Sequence, residues 1–296
     1  MMTGKRFIVM RGSSDPVRRR AHNPQKNLRP TLSTFAVATA RAAAPGRLTA
    51  NRSKYTKRFP IRAIIAQEIC LRQTPDLMKL KYISLNDRLY RYVCACRSDA
   101  GDPILEALRA ETESLGDISR MQISREQGSF MTLLVAAIGA KSAIEVGTFT
   151  GYSSLCIARG LAPRGRLICI DQSEEWTGIA RKYWAQAGVE NKIELRLGPA
   201  VPTLKKLDRH LRFNFAFIDA DKTEYDAYYE LLLPRIRQNG LILFDNMLWG
   251  GRLGAGRIRQ PSGRAIEKLN RKLARDKRVE SVLLPIADGL HLCRKR

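Results

Sequence analysis

Residues 144–154 read IEVGTFTGYSS, and this stretch decides the fold. Together with Lys141-Ser-Ala before it, the pattern predicts a short buried strand, a turn at Gly147 and a helix that begins near Tyr152. Glycines at 147 and 151 are expected to let a ligand approach the backbone, because they carry no Cβ atom. The spacing is not the G-x-G-x-x-G of dinucleotide-binding proteins, so this stretch alone does not identify a ligand.

The next predicted strand, Arg166–Ile170, leads into an acidic residue. Asp171 follows Gly147 by 171 − 147 = 24 residues. Doubly wound α/β proteins place a ribose-binding carboxylate at about this spacing. Two roles for Asp171 therefore stay open: a carboxylate that binds a ribose, and the N-cap of a helix predicted near Ser173–Ala187.

Two further apolar runs end on acidic residues. Phe213–Ile218 leads into Asp219, and Leu241–Phe244 leads into Asp245 and Asn246. The gap of 245 − 219 = 26 residues suits one strand–helix–strand crossover, which parallel strands require. Both acidic ends are then expected at the same edge of the sheet, where open α/β sheets bind their ligands.

Asp219, Asp245 and Asn246 offer two carboxylates and one amide oxygen, with no Cys or His nearby. Such oxygen ligands suit magnesium, manganese or calcium better than zinc or copper. The alternative is that each Asp only starts a loop or caps a helix. The occurrence of both signatures downstream of a glycine turn favours a metal site.

From about Pro103 to Arg296 the chain resembles the metal-dependent class I S-adenosylmethionine O-methyltransferases. This is the group of caffeoyl-coenzyme A and catechol O-methyltransferases, and the chain is most similar to their bacterial members. The matching stretches, in the family's order, are MQISREQGSF (121–130), IEVGTFTGYSS (144–154), LGPA (197–200), FIDADK (217–222) and FDNMLWGGR (244–252). The resemblance implies a Rossmann-like α/β fold, with a mostly parallel seven-stranded sheet, an antiparallel C-terminal strand and helices on both faces.

The resemblance also implies roles for single residues. Asp219, Asp245 and Asn246 hold a divalent cation, with magnesium favoured over manganese and calcium, and Lys222 is the catalytic base beside the metal ligand Asp219. The positions that correspond to S-adenosylmethionine contacts are Ile123, Glu145, Gly147, Thr148, Ser153, Asp171, Ala200 and Asp221. Trp249 is expected to line the acceptor pocket, and the family suggests a homodimer.

Helices and strands alternate through the rest of this segment. The predicted helices are Pro103–Ser114, Gln127–Ile138, Glu224–Arg237 and Ser262–Arg275, the third strand is Ile193–Leu197, and Glu280–Pro285 and Gly289–Arg294 form a hairpin. Asp102 is expected to cap the first helix. Gly240 is expected to end the helix at Glu224–Arg237, and Pro234 to make its last turn irregular.

Positive charge is concentrated in the N-terminal quarter of the chain. The formal net charge is +24, and the residues up to Leu77 contain 16 Lys and Arg against three acids. We predict a basic, disordered extension at residues 1–77, in which only Ile61–Leu71 has helical spacing, and a catalytic domain at residues 78–296. The extension is interpreted as a nucleic-acid-binding arm, a transit peptide, or translation from an unused upstream start. The last is favoured because Met78 shortly precedes the family-like sequence.

The cysteines and the lengths of the apolar runs predict where the protein is located. Its six cysteines form no C-x-x-C pair, which predicts reduced thiols and a cytoplasmic protein. No run of about 18 apolar residues occurs, so no membrane-spanning helix is predicted. The three histidines are scattered, which gives no support to a histidine metal site.

The predicted function is metal-dependent methyl transfer to a hydroxyl of a small catechol-like or phenolic acceptor. An RNA methyltransferase is an alternative that the net charge suggests, but modification of a base does not need a chelating trio. An inactive, nucleic-acid-binding protein with a methyltransferase fold is the second alternative, and the complete set of metal, base and cofactor positions argues against it. Arg252–Arg264 is rich in Gly and Arg where bacterial relatives commonly carry acids, which leaves the acceptor open.

Overall fold

A seven-stranded sheet forms the centre of the protein. The computed structural model describes residues 82–253 and 258–296. The strands are β1 Ser142–Val146, β2 Arg166–Asp171, β3 Ile193–Leu197, β4 Phe213–Ile218, β5 Ile236–Phe244, β6 Val279–Leu284 and β7 Leu290–Lys295. Their spatial order is β3-β2-β1-β4-β5-β7-β6. All neighbouring strands pair in parallel except β7, which is antiparallel to both β5 and β6. This confirms the predicted sheet.

Helices lie on both faces of the sheet. In the described residues they are α1 Asp87–Ala95, α2 Pro103–Glu113, α3 Arg125–Ala137, α4 Tyr152–Gly160, α5 Glu174–Gln186, α6 Ala200–Lys205, α7 Tyr225–Leu232 and α8 Pro261–Leu273. Short 3-10 helices occur at Gly116–Met121, Glu190–Lys192, Lys222–Glu224 and Leu233–Arg235. Asp102 caps α2 as predicted, because its carboxylate accepts the N–H groups of Ile104 and Leu105.

The core consists of two apolar layers separated by the sheet. One layer joins the side chains of α2 to α5 with one face of the strands, and it includes Leu108, Met131 and Phe217. The other joins α6, α7 and α8 with the opposite face, and it includes Tyr225 and Ile266. Strands covered by helices on both faces are expected to be almost continuously apolar, which is the pattern of β1, β2 and β4.

One predicted element is wrong. The helix predicted at Glu224–Arg237 ends at Leu232, a 3-10 turn follows at Leu233–Arg235, and β5 begins at once with Ile236. Pro234 causes this, since a proline has no N–H to continue the helix and is accepted at the start of a new turn. Gly240 therefore lies within β5 and does not end a helix; a Cβ atom there would lie 2.7 Å from Cγ2 of Ile236.

The strand predicted at Leu241–Phe244 begins five residues earlier, at Ile236, and the remaining predicted elements agree with the structure to within two residues at each end. Three elements were not predicted from the sequence: α1, α6 and the 3-10 helix at Gly116–Met121. Predictions about the extension at residues 1–77, its helix at Ile61–Leu71 and the boundary at Met78 lie outside the described residues. Within the part of the chain that is described, no helix combines the length and apolar character needed to cross a bilayer.

Candidate functional site

A cavity of about 860 Å³ opens where the parallel strands β2, β1, β4 and β5 end. Eleven of the twelve predicted site residues line it: Ile123, Gly147, Thr148, Ser153, Asp171, Ala200, Asp219, Asp221, Lys222, Asp245 and Asn246. Trp249, which was predicted for the acceptor pocket, lines it as well. Glu145 does not, because it points from β1 into the interior and is fully buried. The strand ends thus bring the predicted cofactor, metal and base positions into one space.

The glycines of the turn after β1 are required by the packing of the protein itself. Gly147 has a φ of +90°, and a Cβ atom there would lie 2.2 Å from the backbone oxygen of Asp219. At Gly151, φ is +86° and a Cβ atom would lie 2.5 Å from Cβ of Ala180 in α5. Both glycines therefore allow the turn to pack against its neighbours, the end of β4 and helix α5, and the close approach of a ligand to Gly147 stays a prediction.

Asp171 fixes the shape of the same turn. Its Oδ2 accepts the backbone N–H groups of Thr148 and Phe149 at 2.8 and 2.9 Å, and its Oδ1 accepts the N–H of Ser173 at 2.8 Å. Ser173, not Asp171, caps α5, because its hydroxyl accepts the N–H of Trp176. The helix-cap interpretation of Asp171 is therefore wrong. Its carboxylate faces the cavity with lone pairs left for a ligand hydroxyl.

Two aromatic residues beside Asp171 were not predicted. Phe149, at a φ of +51°, and Trp176 of α5 line the cavity, and their rings meet edge to face at 5.1 Å between centroids. They form an apolar wall suited to a flat ring system. The sequence carries no periodic signal for this pair, because Phe149 lies in a turn with an unusual backbone conformation.

Glu145 and Thr148 are polar groups left without partners behind the turn. Both carboxylate oxygens of Glu145 and the hydroxyl of Thr148 are buried and accept or donate no hydrogen bond among the described residues. Burial raises the pKa of Glu145 to about 7. Buried polar atoms are almost always satisfied in folded proteins, so the hydroxyl of Thr148, which lines the cavity, fits a ligand with hydrogen-bonding groups of its own.

We expect Glu145→Gln to stabilise the ligand-free protein above pH 7. Because the pKa of Glu145 is higher in the folded protein than in the unfolded one, ionisation of this carboxyl disfavours the fold. The free energy of unfolding therefore falls as the pH rises from 4.5 through about 7. The gain for the neutral glutamine should be near zero below pH 4.5 and reach up to roughly 3 kcal/mol above pH 8. Thermal melts across this range measure it. Glu194→Gln on the exposed strand β3 is the control. A difference in stability between Glu145→Gln and the wild-type protein that does not change with pH would contradict the prediction.

The candidate metal ligands follow two adjacent strands. Asp219 follows β4, and its Oδ1 lies 2.5 Å from Nζ of Lys222. Asp245 follows β5; its Oδ2 accepts the Nε2 amide of Gln127 at 2.8 Å and its Oδ1 accepts the N–H of Asn246 at 2.6 Å. Lys222 also lies over the ring of Tyr225, 5.1 Å from its centroid. The predicted base is therefore in direct contact with one of the predicted ligands, Asp219.

Asp245 is buried although it lies at the end of a strand. Only 3% of it is exposed, and its removal would leave a buried amide of Gln127 unpaired. Burial, followed by the nearby charge of Asp219, raises the pKa of Asp245 to about 7. Two carboxylates at one buried edge are costly to ionise together, and a divalent cation between them would offset this cost.

The segment after Asp245 is held by the hairpin between β6 and β7. Asn246 adopts a φ of +56°, which asparagine tolerates better than most residues. The N–H of Leu248 donates to the carbonyl of Asp288 at 2.8 Å, and the N–H of Gly250 donates to the Asp288 carboxylate at 2.6 Å. Trp249 is fixed by a hydrogen bond from Nε1 to Gln260 at 3.2 Å. The hairpin thus sets the position of Trp249 at the cavity.

The donor set of the candidate metal site consists of oxygen alone. Among the described residues no three His, Cys, Asp or Glu side chains are grouped as a metal site. A site at this edge would combine the carboxylates of Asp219 and Asp245 with the amide oxygen of Asn246. Oxygen ligands of this kind suit magnesium, manganese or calcium.

Asp221 has a local structural role in addition to its place at the cavity. Its Oδ1 accepts the N–H and the hydroxyl of Thr223 at 2.8 and 2.7 Å, which caps the 3-10 helix that contains Lys222.

Gln127, the hydrogen-bond partner of Asp245, was not predicted as a site residue, and it lies 118 residues before Asp245 in the chain. No local pattern links residues so far apart.

Comparisons with known proteins agree with this geometry. A model of the O-methyltransferase family matches residues 96–296. "Probable caffeoyl-CoA O-methyltransferase 2" of Dictyostelium discoideum is 46% identical over 179 residues, which is 59% of this chain and 78% of that protein. Caffeoyl-CoA O-methyltransferase of Petroselinum crispum is 33% identical over 230 residues, 73% of this chain and 93% of that protein.

The fold has solved relatives. The crystal structure of the O-methyltransferase from Bacillus cereus in complex with SAH aligns with a TM-score of 0.66 and 29% identity, and it covers 71% of this chain and 97% of that chain. The extent of these matches shows the family directly. The chain belongs to the O-methyltransferase family and is an S-adenosylmethionine-dependent O-methyltransferase of the caffeoyl-CoA type.

Proposed function

We propose that this enzyme transfers the methyl group to a hydroxyl of a small catechol-like or phenolic acceptor, and that it needs a divalent cation, magnesium in first place. One observation carries the proposal. Asp219, Asp245 and Asn246 line the same cavity as the cofactor positions, with Nζ of Lys222 2.5 Å from Asp219. A cavity used only for the cofactor would not need two carboxylates, one buried and one partly exposed, beside a lysine.

The proposed roles follow from the chemistry of the groups. A neutral phenol is a poor nucleophile near pH 7, and a bound divalent cation favours its ionised form and orients it. Asp219, Asp245 and Asn246 would hold the cation. Lys222 would accept the hydroxyl proton at Nζ, and its contact with Asp219 keeps it at the edge where the acceptor oxygen must lie.

The cofactor side of the cavity is proposed to be built by the turn after β1. Asp171 would bind the ribose, and Phe149 and Trp176 would pack against the adenine ring. Trp249, which is held by its hydrogen bond to Gln260, would cover the acceptor. Alignment of the acceptor oxygen with the methyl carbon is the main requirement for a displacement of this kind, and these walls restrict both partners.

The test is a methyl-transfer screen over catechols, caffeoyl-type esters and flavonoids, with and without chelator. We expect turnover with acceptors that carry two neighbouring hydroxyls, and loss of turnover in chelator that added magnesium restores. Full turnover in excess chelator would overturn the metal part of the proposal. Turnover only with acceptors that carry a single isolated hydroxyl would overturn the catechol part.

Gln127→Leu should weaken the binding of Mn²⁺ by roughly 10- to 100-fold, which is the usual effect of removing a group that orients a metal ligand. Gln127 is 1% exposed and donates to Asp245 at 2.8 Å, so its loss frees this carboxylate to turn. Electron paramagnetic resonance titration of Mn²⁺ measures the affinity without turnover. Gln172→Leu, an exposed change at the same cavity, is the control. Unchanged Mn²⁺ affinity in Gln127→Leu would contradict the prediction.

We also propose that residues 78–296 suffice for catalysis. Residues 1–77 carry 16 basic and three acidic side chains, and their apolar residues show almost no periodic spacing before Pro60, so they offer no continuous apolar face to offset the entropy of ordering. A protein of residues 78–296 should melt within a few degrees of the full chain, keep its turnover, and bind polyanions more weakly. Failure of the shortened protein to fold would overturn this division. Dimerisation, nucleic-acid binding and a cytoplasmic location stay predictions.

A further inference from the structure

Arg109 of α2 is a half-buried cation that no carboxylate neutralises. It lines the cavity, and its two terminal nitrogens donate to Oε1 of Gln122 at 2.9 Å and to the carbonyl of Ile123 at 3.1 Å. Its Nε is buried and has no hydrogen-bond partner among the described residues. Two of its five N–H groups are therefore used, and both are used on neutral oxygens.

Other arginines in the same helical layer are paired with acids. The pairs are Arg97 with Asp99 at 2.8 Å, Arg125 with Glu106 at 2.8 Å and Arg159 with Asp102 at 3.0 Å. In the described residues no acid lies within salt-bridge distance of Arg109. Holding a charge away from water without a counter-charge is unfavourable, so an unpaired cation at a ligand cavity points to an anion that arrives with the ligand.

The surroundings of Arg109 favour an anion in two further ways. Its guanidinium lies 5.3 Å from the ring centroid of Tyr152, the first residue of α4. This helix begins after Gly151 with no side-chain cap, so the N–H groups of its first turn point outward. Ser153, in the same turn, also lines the cavity. An arginine beside an uncapped helix start suits a carboxylate, because both offer N–H donors and positive charge.

We propose that Arg109 supplies the counter-charge for the carboxylate of the methionine part of S-adenosylmethionine. The cofactor has one carboxylate, at the end opposite to its adenine, and this assignment rests on the proposal that Asp171, Phe149 and Trp176 bind the nucleoside end. Arg109 also donates a hydrogen bond to the carbonyl of Ile123, which places this cavity wall next to the same group. Arg109 would thereby distinguish the intact amino acid of the cofactor.

Two ligands that differ by this carboxylate alone test the proposal. Binding of S-adenosylmethionine and of decarboxylated S-adenosylmethionine is measured calorimetrically on the full chain. Chelator is present, so that the result does not depend on the proposed metal. Arg109→Gln should weaken binding of the intact cofactor by roughly 10- to 100-fold, the range of a hydrogen-bonded charge, and binding of the decarboxylated one by less than about threefold. Arg109→Lys should recover part of the loss.

The control is Arg120→Gln, an arginine that lines the cavity but is 84% exposed and faces Asp117; we expect no change in either affinity. Equal weakening of both ligands by Arg109→Gln would assign Arg109 to the scaffold and overturn the proposal. Unchanged cofactor affinity with a raised KM for the acceptor would also overturn it, because the anion would then belong to the acceptor. If Arg109→Gln does not fold, Arg109→Lys takes its place in the test. The ratio of its affinity for the intact cofactor to its affinity for the decarboxylated cofactor should fall roughly 3- to 10-fold relative to wild type. An unchanged ratio would refute the role.

Discussion

Asp245→Asn is expected to lower the turnover number by at least about 10³-fold, which corresponds to about 4 kcal/mol of lost transition-state stabilisation. The side chain keeps its shape but loses the charge that we propose to hold the cation. Wild-type enzyme in excess chelator should lose turnover to the same extent, and chelator should add little to the loss in the variant. Initial rates with saturating cofactor measure both.

The fold of this variant should be intact. Burial and the charge of Asp219 already disfavour the ionised form of Asp245, so a neutral side chain should leave the melting temperature of the ligand-free protein at pH 8 unchanged or higher. Asp245→Ala is a poorer choice, because it leaves the buried amide of Gln127 without an acceptor. Glu194→Gln on the exposed edge strand should keep full turnover. An active Asp245→Asn enzyme would refute the proposed metal site.

Lys222→Met is expected to lower the turnover number by roughly 10²- to 10⁴-fold, the usual range for loss of a general base. Binding of the cofactor and of Mn²⁺ should change far less, because Lys222 is proposed to act on the acceptor proton. The rate of the variant should recover as the pH approaches 10, where a phenol ionises in solution without help. Turnover against pH from 6 to 10 measures this.

A second substitution at Lys222 distinguishes its proposed role as a base from its role as the ion-pair partner of Asp219. Lys222→Arg keeps a cation beside Asp219 but cannot give up its proton, so it should be as slow as Lys222→Met near pH 7. If Lys222→Arg kept wild-type turnover, the role of Lys222 would be to orient Asp219. Equal rates for Lys222→Met and wild type at every pH would leave Lys222 as a surface contact.

Most of the sheet was predictable because its strands are buried on both faces. Phe213–Ile218 was located to the residue, since a short apolar run bounded by turns has few other uses in a chain of alternating elements. The edge strand Ile193–Leu197 was also located to the residue, and its apolar and charged residues alternate. The helix predicted at Glu224–Arg237 was too long because the apolar spacing continues past Pro234. A proline can end a helix or begin a new turn, and which of the two occurs depends on the strand that follows. Pairing of Ile236 with Phe213 decides it here.

The candidate site was predictable where a residue follows a strand, and not where it depends on packing. Asp171, Asp219 and Asp245 each lie at a strand end, which the sequence marks clearly. The partnership of Gln127 with Asp245 spans helix α3 and strand β5, and the burial of Asp245 comes from that helix. Contacts of this kind exist only once the layers have packed together.

The position of β7 has a consequence for the synthesis of this enzyme. β7 follows both β5 and β6 in the chain and so leaves the ribosome after them, yet it lies between them in the sheet. From Phe244 to Leu290 there are 290 − 244 = 46 residues, so at 5–20 residues per second the edge of β5 stays uncovered for roughly 2–9 s. An apolar open strand edge pairs readily with other nascent chains. The yield of folded enzyme should therefore depend on the speed of translation through residues 245–290, and slow codons there should favour aggregation.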